Sequence, residues 1–321
     1  MLKKISHKLW EFFRVEDIIQ FFRGLVLPGF DGVPFYDVIG FFFRGIVHGA
    51  ITTRAASLSF SFFLALFPTI LFFFTIIPYI PVSGFQQILM DAIKGFLPPN
   101  TFIEVQTIIE DIVVRKNGGW LSLSFIMALI FSTNGTSAII DVFNQTYHSI
   151  ESRSYLKQRV VAVFLVVIMS LLVITSVVMI SIGSNIFHFL YEKGIIKDQF
   201  TVYLMIFLKW IISLSLVFFS FSFVYYLAPA KKRHFRFFSA GSTLATILFV
   251  ISTLGFNYYV SNFSQYNALY GSIGTIIILM LWIYFNSIIL LIGFELNASI
   301  YNAREVVQRS NRLLKRKKNK K

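Results

Sequence analysis

The sequence predicts an all-α polytopic membrane protein with six transmembrane helices, plus amphipathic helices at the N-terminus and in an outer loop. Three observations carry that reading. Of 321 residues, 56% are hydrophobic and only 14% are charged, against about 25% charged in an ordinary soluble domain. No charged side chain occurs between Arg54 and Asp91, or between Arg236 and Glu295. About 20 residues at about 1.5 Å rise cross a hydrocarbon core of about 30 Å, and these runs exceed that length. The Lys and Arg residues flank the apolar runs, with Lys209 the exception.

Taken in order, residues 1–54 are a mixed, interfacial segment. Leu2, Ile5, Leu9, Phe12, Phe13, Ile18, Ile19 and Phe22 recur at helical spacing with charges between them, as in a helix lying on a membrane surface. Lys8, Glu11, Arg14, Glu16 and Asp17 break any signal-peptide core. Leu27-Pro28-Gly29 ends the first helix. A second amphipathic helix is expected from Pro34, with Asp37, Arg44 and His48 near one polar side. The membrane domain is expected over 55–303, with spans near 55–80, 120–140, 160–183, 201–228, 237–260 and 271–296. Pro68 falls within the first span, where neighbouring helices can re-satisfy the freed carbonyl. In the loop at 81–119, two apolar stripes (Phe85 to Phe96, and Phe102 to Val113) flank Leu97-Pro98-Pro99-Asn100 and predict two surface helices. The polar run Ser261 to Asn267 is the turn between the last two spans. Residues 304–321 form a basic tail.

The charge distribution sets an orientation. With six spans both termini share a side, and that side carries 23 Lys and Arg residues against five in the opposite loops. Cytoplasmic segments hold the positive excess, so both termini are expected in the cytoplasm. The net charge of +14 therefore reads as orientation and contact with anionic lipid headgroups, chiefly at the C-terminal tail, and no nucleic-acid partner is expected.

No catalytic constellation is recognisable. Cysteine is absent, which excludes disulfides and thiolate chemistry. The five histidines lack metal-ligand spacing, and neither a nucleophile elbow nor a phosphate-binding loop is present. No cofactor or metal is expected. The remaining candidates are polar residues in or beside the spans, which are costly in lipid. Glu295 is placed near the cytoplasmic interface, either as an ion or proton site or half of a buried pair, or as a carboxylate reaching headgroup water. Asn297 points to another side of the helix and suits helix–helix hydrogen bonding. Asn134-Gly135-Thr136 is expected to interrupt the second span. It reads either as an opened helix facing a cavity, or as close packing through Gly135 with Asn134 bonding across helices. Arg54 precedes the expected first span as a cytoplasmic stop, or pairs with Glu295. Lys209 beside Trp210 suits a snorkelling anchor. Ser57, Ser59, Ser61 and Thr69 either line a polar path or bond to the preceding helical turn.

The end of the chain carries a resemblance. Tyr270-Gly271 leads into Leu281-Trp282-Ile283-Tyr284 and then Leu291-Ile292-Gly293-Phe294-Glu295-Leu296-Asn297. With Ala55-Ala56 through Phe67-Pro68, Gly135 to Asn144, basic Arg153, Lys157 and Arg159, and Leu227-Ala228-Pro229 before Lys231, Lys232 and Arg233, this resembles the YihY/BrkB family over about residues 40–303. Phe294 departs from the small residue that family members more often carry before the glutamate. The resemblance implies a six-span bacterial inner-membrane protein. It brings no established catalytic residues, and an older ribonuclease label for the family is regarded as a misassignment. The expected function is transport or translocation of a solute or lipid-like substrate. The alternatives are a non-transporting envelope scaffold or assembly factor, and a membrane-embedded enzyme.

Overall fold

The computed structural model describes residues 24–27, 29–76, 118–146, 149–150, 153–192, 199–230, 236–262 and 272–318. The helices expected in 1–22 and in 81–117 lie outside them, as does the turn expected at Ser261 to Asn267 from residue 263 on; Ser261 and Asn262 are still helical. The described elements are α1 (Phe35–His48), α2 (Ile51–Ile76), α3 (Gly118–Asn144), β1 (Gln145–Thr146), β2 (Ser149–Ile150), α4 (Tyr155–Glu192), α5 (Gln199–Leu227), α6 (Ala240–Asn262) and α7 (Ser272–Lys318). Helices α2 to α7 are each long and apolar enough to cross a membrane. The protein is an all-α, multi-pass membrane protein. Its strands are a minimal antiparallel hairpin pairing Gln145 with Ile150 and Thr146 with Ser149.

The six long helices close into a ring in chain order. Each packs on the next from α2 to α7, and α7 returns to pack on α2. Short connections favour such sequential neighbours. One core takes residues from every span: Ala55 and Leu58, Ile140 and Phe143, Ala162 and Leu165, Val224 and Tyr225, Ala245, and Leu291 and Phe294. All of these lie in the half of the bundle next to α1, the hairpin and residues 228–230 and 236–239, here called the capped end. Toward the other end, none of the described residues 60–71, 203–221 or 247–260 is buried.

The helix ends differ from expectation for physical reasons. Helix α2 begins at Ile51, so Arg54 sits inside its first turn rather than ahead of it. Helix α3 runs unbroken through Asn134-Gly135-Thr136. The expected interruption is therefore absent: one glycine costs a helix only about 1 kcal/mol, and here close packing offsets it, since the Gly135 Cα faces Phe62 and the Ser61 carbonyl. Helix α7 does not stop near 296 but continues to Lys318. Its 47 residues span about 70 Å at the α-helical rise, so its C-terminal part extends well past a hydrocarbon core of about 30 Å.

Helix α1 forms as expected, one residue after Pro34, whose φ of −57° suits a helix start. It is a short elbow packed against α7. Val38 and Gly45 are buried, whereas Phe43 and Val47 stay exposed. Ala50, at φ 46°, makes the sharp joint to α2. Ahead of α1, Gly29 and Gly32 take positive φ of 87° and 79° around Asp31 at 55°, folding a tight turn that tucks Phe30 and Val33 against Leu296 and Ile300 of α7.

Candidate functional site

Most buried polar groups of the bundle lie at the capped end, around α7. From Gly293 to Ile300 every residue of α7 is buried, because α1, α2, α6 and the 25–34 segment surround it. Glu295 is fully buried. Its carboxyl lies against the Cα of Gly45, where an added methyl would overlap it. Arg54 of α2 is close enough to interact with it electrostatically. The same guanidinium donates to the Gly49 carbonyl at 3.2 Å and to the Val142 carbonyl at 2.6 Å. The second bond reaches the last turn of α3, where free carbonyls and the helix dipole favour a cation. Glu295 is thus not a carboxylate reaching headgroup water: the elbow helix covers it. Burial encloses the carboxyl, and Arg54 is a cation that acts on it electrostatically.

Asn297 bonds between helices, as anticipated. Its Oδ1 accepts the Gly241 backbone N–H at 2.9 Å, and its Nδ2 donates to Ser239 Oγ at 3.0 Å. It thereby supplements the N-cap of α6, where Ser239 Oγ also accepts the Ser242 N–H at 3.1 Å. This is feasible because α6 and α7 cross at glycines. A methyl on Gly241 would overlap the Gly293 carbonyl and the Asn297 amide, and one on Gly293 would overlap the Tyr225 hydroxyl. Tyr225 in turn donates to the Leu290 carbonyl at 2.9 Å. Phe294 stacks on Phe143 with centroids 3.8 Å apart and planes 6° apart, so the large residue is fully accommodated.

Asn134 is not part of this cluster. It faces outward on α3 and accepts a hydrogen bond from Arg159 Nη1 of α4 at 2.7 Å, which is the across-helix reading. Gly135 packs on α2, also as the second reading had it. The seryl row bonds backward along its own helix: Ser59 Oγ to Ala56 O at 2.8 Å, Ser61 Oγ to Ser57 O at 3.1 Å, Thr69 Oγ1 to Ala65 O at 2.7 Å. Lys209 lies inside α5, beside the exposed Trp210.

Three further contacts tie the capped end together. Asp31 pairs with Arg236 at 3.0 Å and with Arg304 of α7 at 3.1 Å. Arg153 donates to the Leu227 carbonyl at 3.2 Å and to the Pro229 carbonyl, closing the C-terminus of α5, and burial pushes its guanidinium below the ordinary arginine pKa. Asn144 Oδ1 accepts the Ala230 N–H at 2.9 Å. The sequence signal for Asp31 was the Gly29-to-Gly32 turn; the others were visible only as interfacial polar residues. Among the described residues no group of His, Asp and Glu side chains assembles that would hold a metal ion.

Comparisons with known proteins agree with this architecture. A family model described as Virulence factor BrkB matches residues 42–319. A "putative ribonuclease-like protein YfkH" of Bacillus subtilis (strain 168) is 32% identical over 255 residues, covering 79% of this chain and 91% of that protein. UPF0761 membrane proteins of Alteromonas mediterranea and Psychromonas ingrahamii are 26% and 27% identical, over 84% and 83% of this chain and 89% and 88% of their own lengths. No solved structure matches. The match runs from within α1 to the last residues of α7 and takes in the whole membrane bundle, so the chain belongs to the Virulence factor BrkB family.

Proposed function

We propose that the protein is a transporter or translocator of a solute or lipid-like substrate in the bacterial inner membrane, with the capped end and both termini in the cytoplasm. The observation that supports this best is the asymmetry of packing. Every span contributes to the core at the capped end, around the buried Glu295 and its neighbour Arg54, whereas the described residues of α2, α5 and α6 in the other half are not buried. A bundle whose described core gathers mainly at one end suits one state of an alternating-access cycle. An ionisable residue within a membrane bundle is a functional candidate, and here Glu295 bears on three separate elements, α1, α2 and α7. Opening the cytoplasmic side requires α1 to leave α7, which exposes this carboxyl to water. The test is uptake or export of an identified substrate, found by lipid and metabolite profiling of a deletion strain. Glu295→Gln is expected to lose most transport at unchanged protein level. Unchanged transport in Glu295→Gln would refute this assignment.

A second reading, a non-transporting envelope scaffold or assembly factor, is favoured by the interlocked contacts of Asp31, Arg153 and Asn144. Under it, Glu295→Gln leaves all solute and lipid profiles unaltered, and a partner protein is recovered with the chain from membranes. The ribonuclease-like wording belongs to the Bacillus relative, and the polar cluster around Glu295 supports transport better than phosphodiester cleavage.

A further inference from the structure

The outer surface of α3 and α4 holds a cation, Arg159, in the second turn of α4 at the edge of its apolar run. Exposed Ile126, Ile130, Val160, Val163 and Phe164 make this surface apolar. Arg159 lies within the α4 candidate span, and Asn134 within that of α3. Between them is an open recess of about 300 Å³ lined by Leu129, Ile130, Thr133, Asn134 and Arg159.

The direction of the Arg159 side chain is unusual. Arginine near a membrane interface ordinarily snorkels toward headgroup water, and helical side chains lean toward the helix N-terminus, which for α4 is the capped end. The neighbouring Gln158 obeys this, donating to Asp141 Oδ1 at 2.6 Å. Arg159 instead reaches Asn134 at 2.7 Å, seven residues or about 10 Å further along α3 from the capped end. Tyr155 holds it there: the guanidinium carbon lies 5.2 Å from the Tyr155 ring centroid, and Nε donates to the hydroxyl at 3.1 Å. Two of the five guanidinium donors are thereby used among the described residues. The partners are neutral, and no carboxylate among the described residues lies within ion-pair distance of Arg159. Asp141 is committed to Gln158 a step nearer the capped end.

A cation fixed on an apolar, lipid-facing surface is costly unless an anion meets it. The bilayer offers one anion that brings its own apolar body, a phospholipid with net negative charge. We infer that this recess is a binding site for an anionic phospholipid of the leaflet at the capped end. Its phosphate takes the remaining fork of Arg159, and an acyl chain lies along Leu129, Ile130 and Val160. Arginine donates to a phosphate in a charge-assisted, bidentate manner, and the apolar lining separates this ligand from free phosphate. The site stands whether or not the protein transports.

The test is lipid retention by the purified full-length protein, read by native mass spectrometry and by competition in mixed micelles. The probes are dioleoylphosphatidylglycerol, dioleoylphosphatidylcholine and inorganic phosphate, at high salt so that the charge of the basic tail is screened. Wild type should prefer phosphatidylglycerol over phosphatidylcholine, and inorganic phosphate in excess should not displace it. Arg159→Gln should weaken phosphatidylglycerol binding about tenfold or more, as expected for losing a charge-assisted bond. Arg159→Lys, which keeps the charge but not the fork, should retain only part of it. Ile130→Trp, which fills the recess and keeps the charge, should also exclude the lipid, giving a second variant should Arg159→Gln fail to fold. Equal retention of the two lipids by wild type, displacement by inorganic phosphate, or undiminished phosphatidylglycerol binding in both Arg159→Gln and Ile130→Trp overturns the site.

Discussion

Glu295 and Asn297 stand two residues apart on one helix and have different physical roles. Glu295 meets the bare Cα of Gly45 and lies within electrostatic reach of Arg54, so its role is steric as well as electrostatic. Gly45→Ala is expected to destabilise the protein by about 1–3 kcal/mol through overpacking, read as a lower unfolding midpoint in detergent. If the methyl acts by striking the carboxyl, Gly45→Ala should cost much less in a Glu295→Ala background than in wild type, a coupling that a double-mutant cycle measures directly. Asn297 acts on the end of α6. Asn297→Ala should cost about 1–2 kcal/mol, the range for removing a helix cap, and additive losses for Asn297→Ala and Ser239→Ala would contradict their sharing one hydrogen bond. The sequence marked both residues as polar within an apolar helix. It could not show that Gly45, some 250 positions away, makes room for the carboxyl, because that proximity comes only from the docking of α1 on α7.

At the scale of elements, small residues decide which helices touch closely. Gly241 and Gly293 bring α6 and α7 into backbone contact, with the Gly293 carbonyl directly facing the Gly241 Cα. Small residues that let backbones approach are the usual means of helix association in lipid. Gly241→Leu or Gly293→Leu should prevent the crossing, and disulfide trapping between cysteines introduced on α6 and α7 should then fail while it succeeds in an otherwise wild-type protein. Gly135 is a milder case: its neighbour is the edge of the Phe62 ring at 3.3 Å, which can give, so Gly135→Ala should change the unfolding midpoint little. Six spans were legible from run length and charge. Their ends were less so, because hydropathy reports how long a segment is apolar, not where backbone hydrogen bonding stops. Thus α4 and α7 run beyond their apolar stretches as helix, and α3 continues through a polar triplet that looks like a break in one dimension.

At the scale of the whole molecule, the described core gathers mainly at the capped end. The capped end is tied by Asp31 with Arg236 and Arg304, by Arg153 with the end of α5, and by Asn144 with Ala230. Arg236 is 64% exposed but the Asp31 side chain only 10%, and it holds a second arginine, so Asp31→Asn should lower stability by about 1–3 kcal/mol, with the difference from wild type shrinking in part as salt is raised. A reporter fused after Lys321 should be active only in its cytoplasmic form, and an exported reporter would reverse the proposed orientation. The sequence by itself determined the solvent, the number of spans and the all-α class, since lipid accepts long apolar segments only when their backbone hydrogen bonds close within each helix. The tertiary structure alone decided which polar side chains share a site. Glu295 and Arg54 came together, whereas Asn134 turned outward to Arg159, because helix rotation and docking are set by side-chain fit among distant segments and leave no periodic trace along the chain.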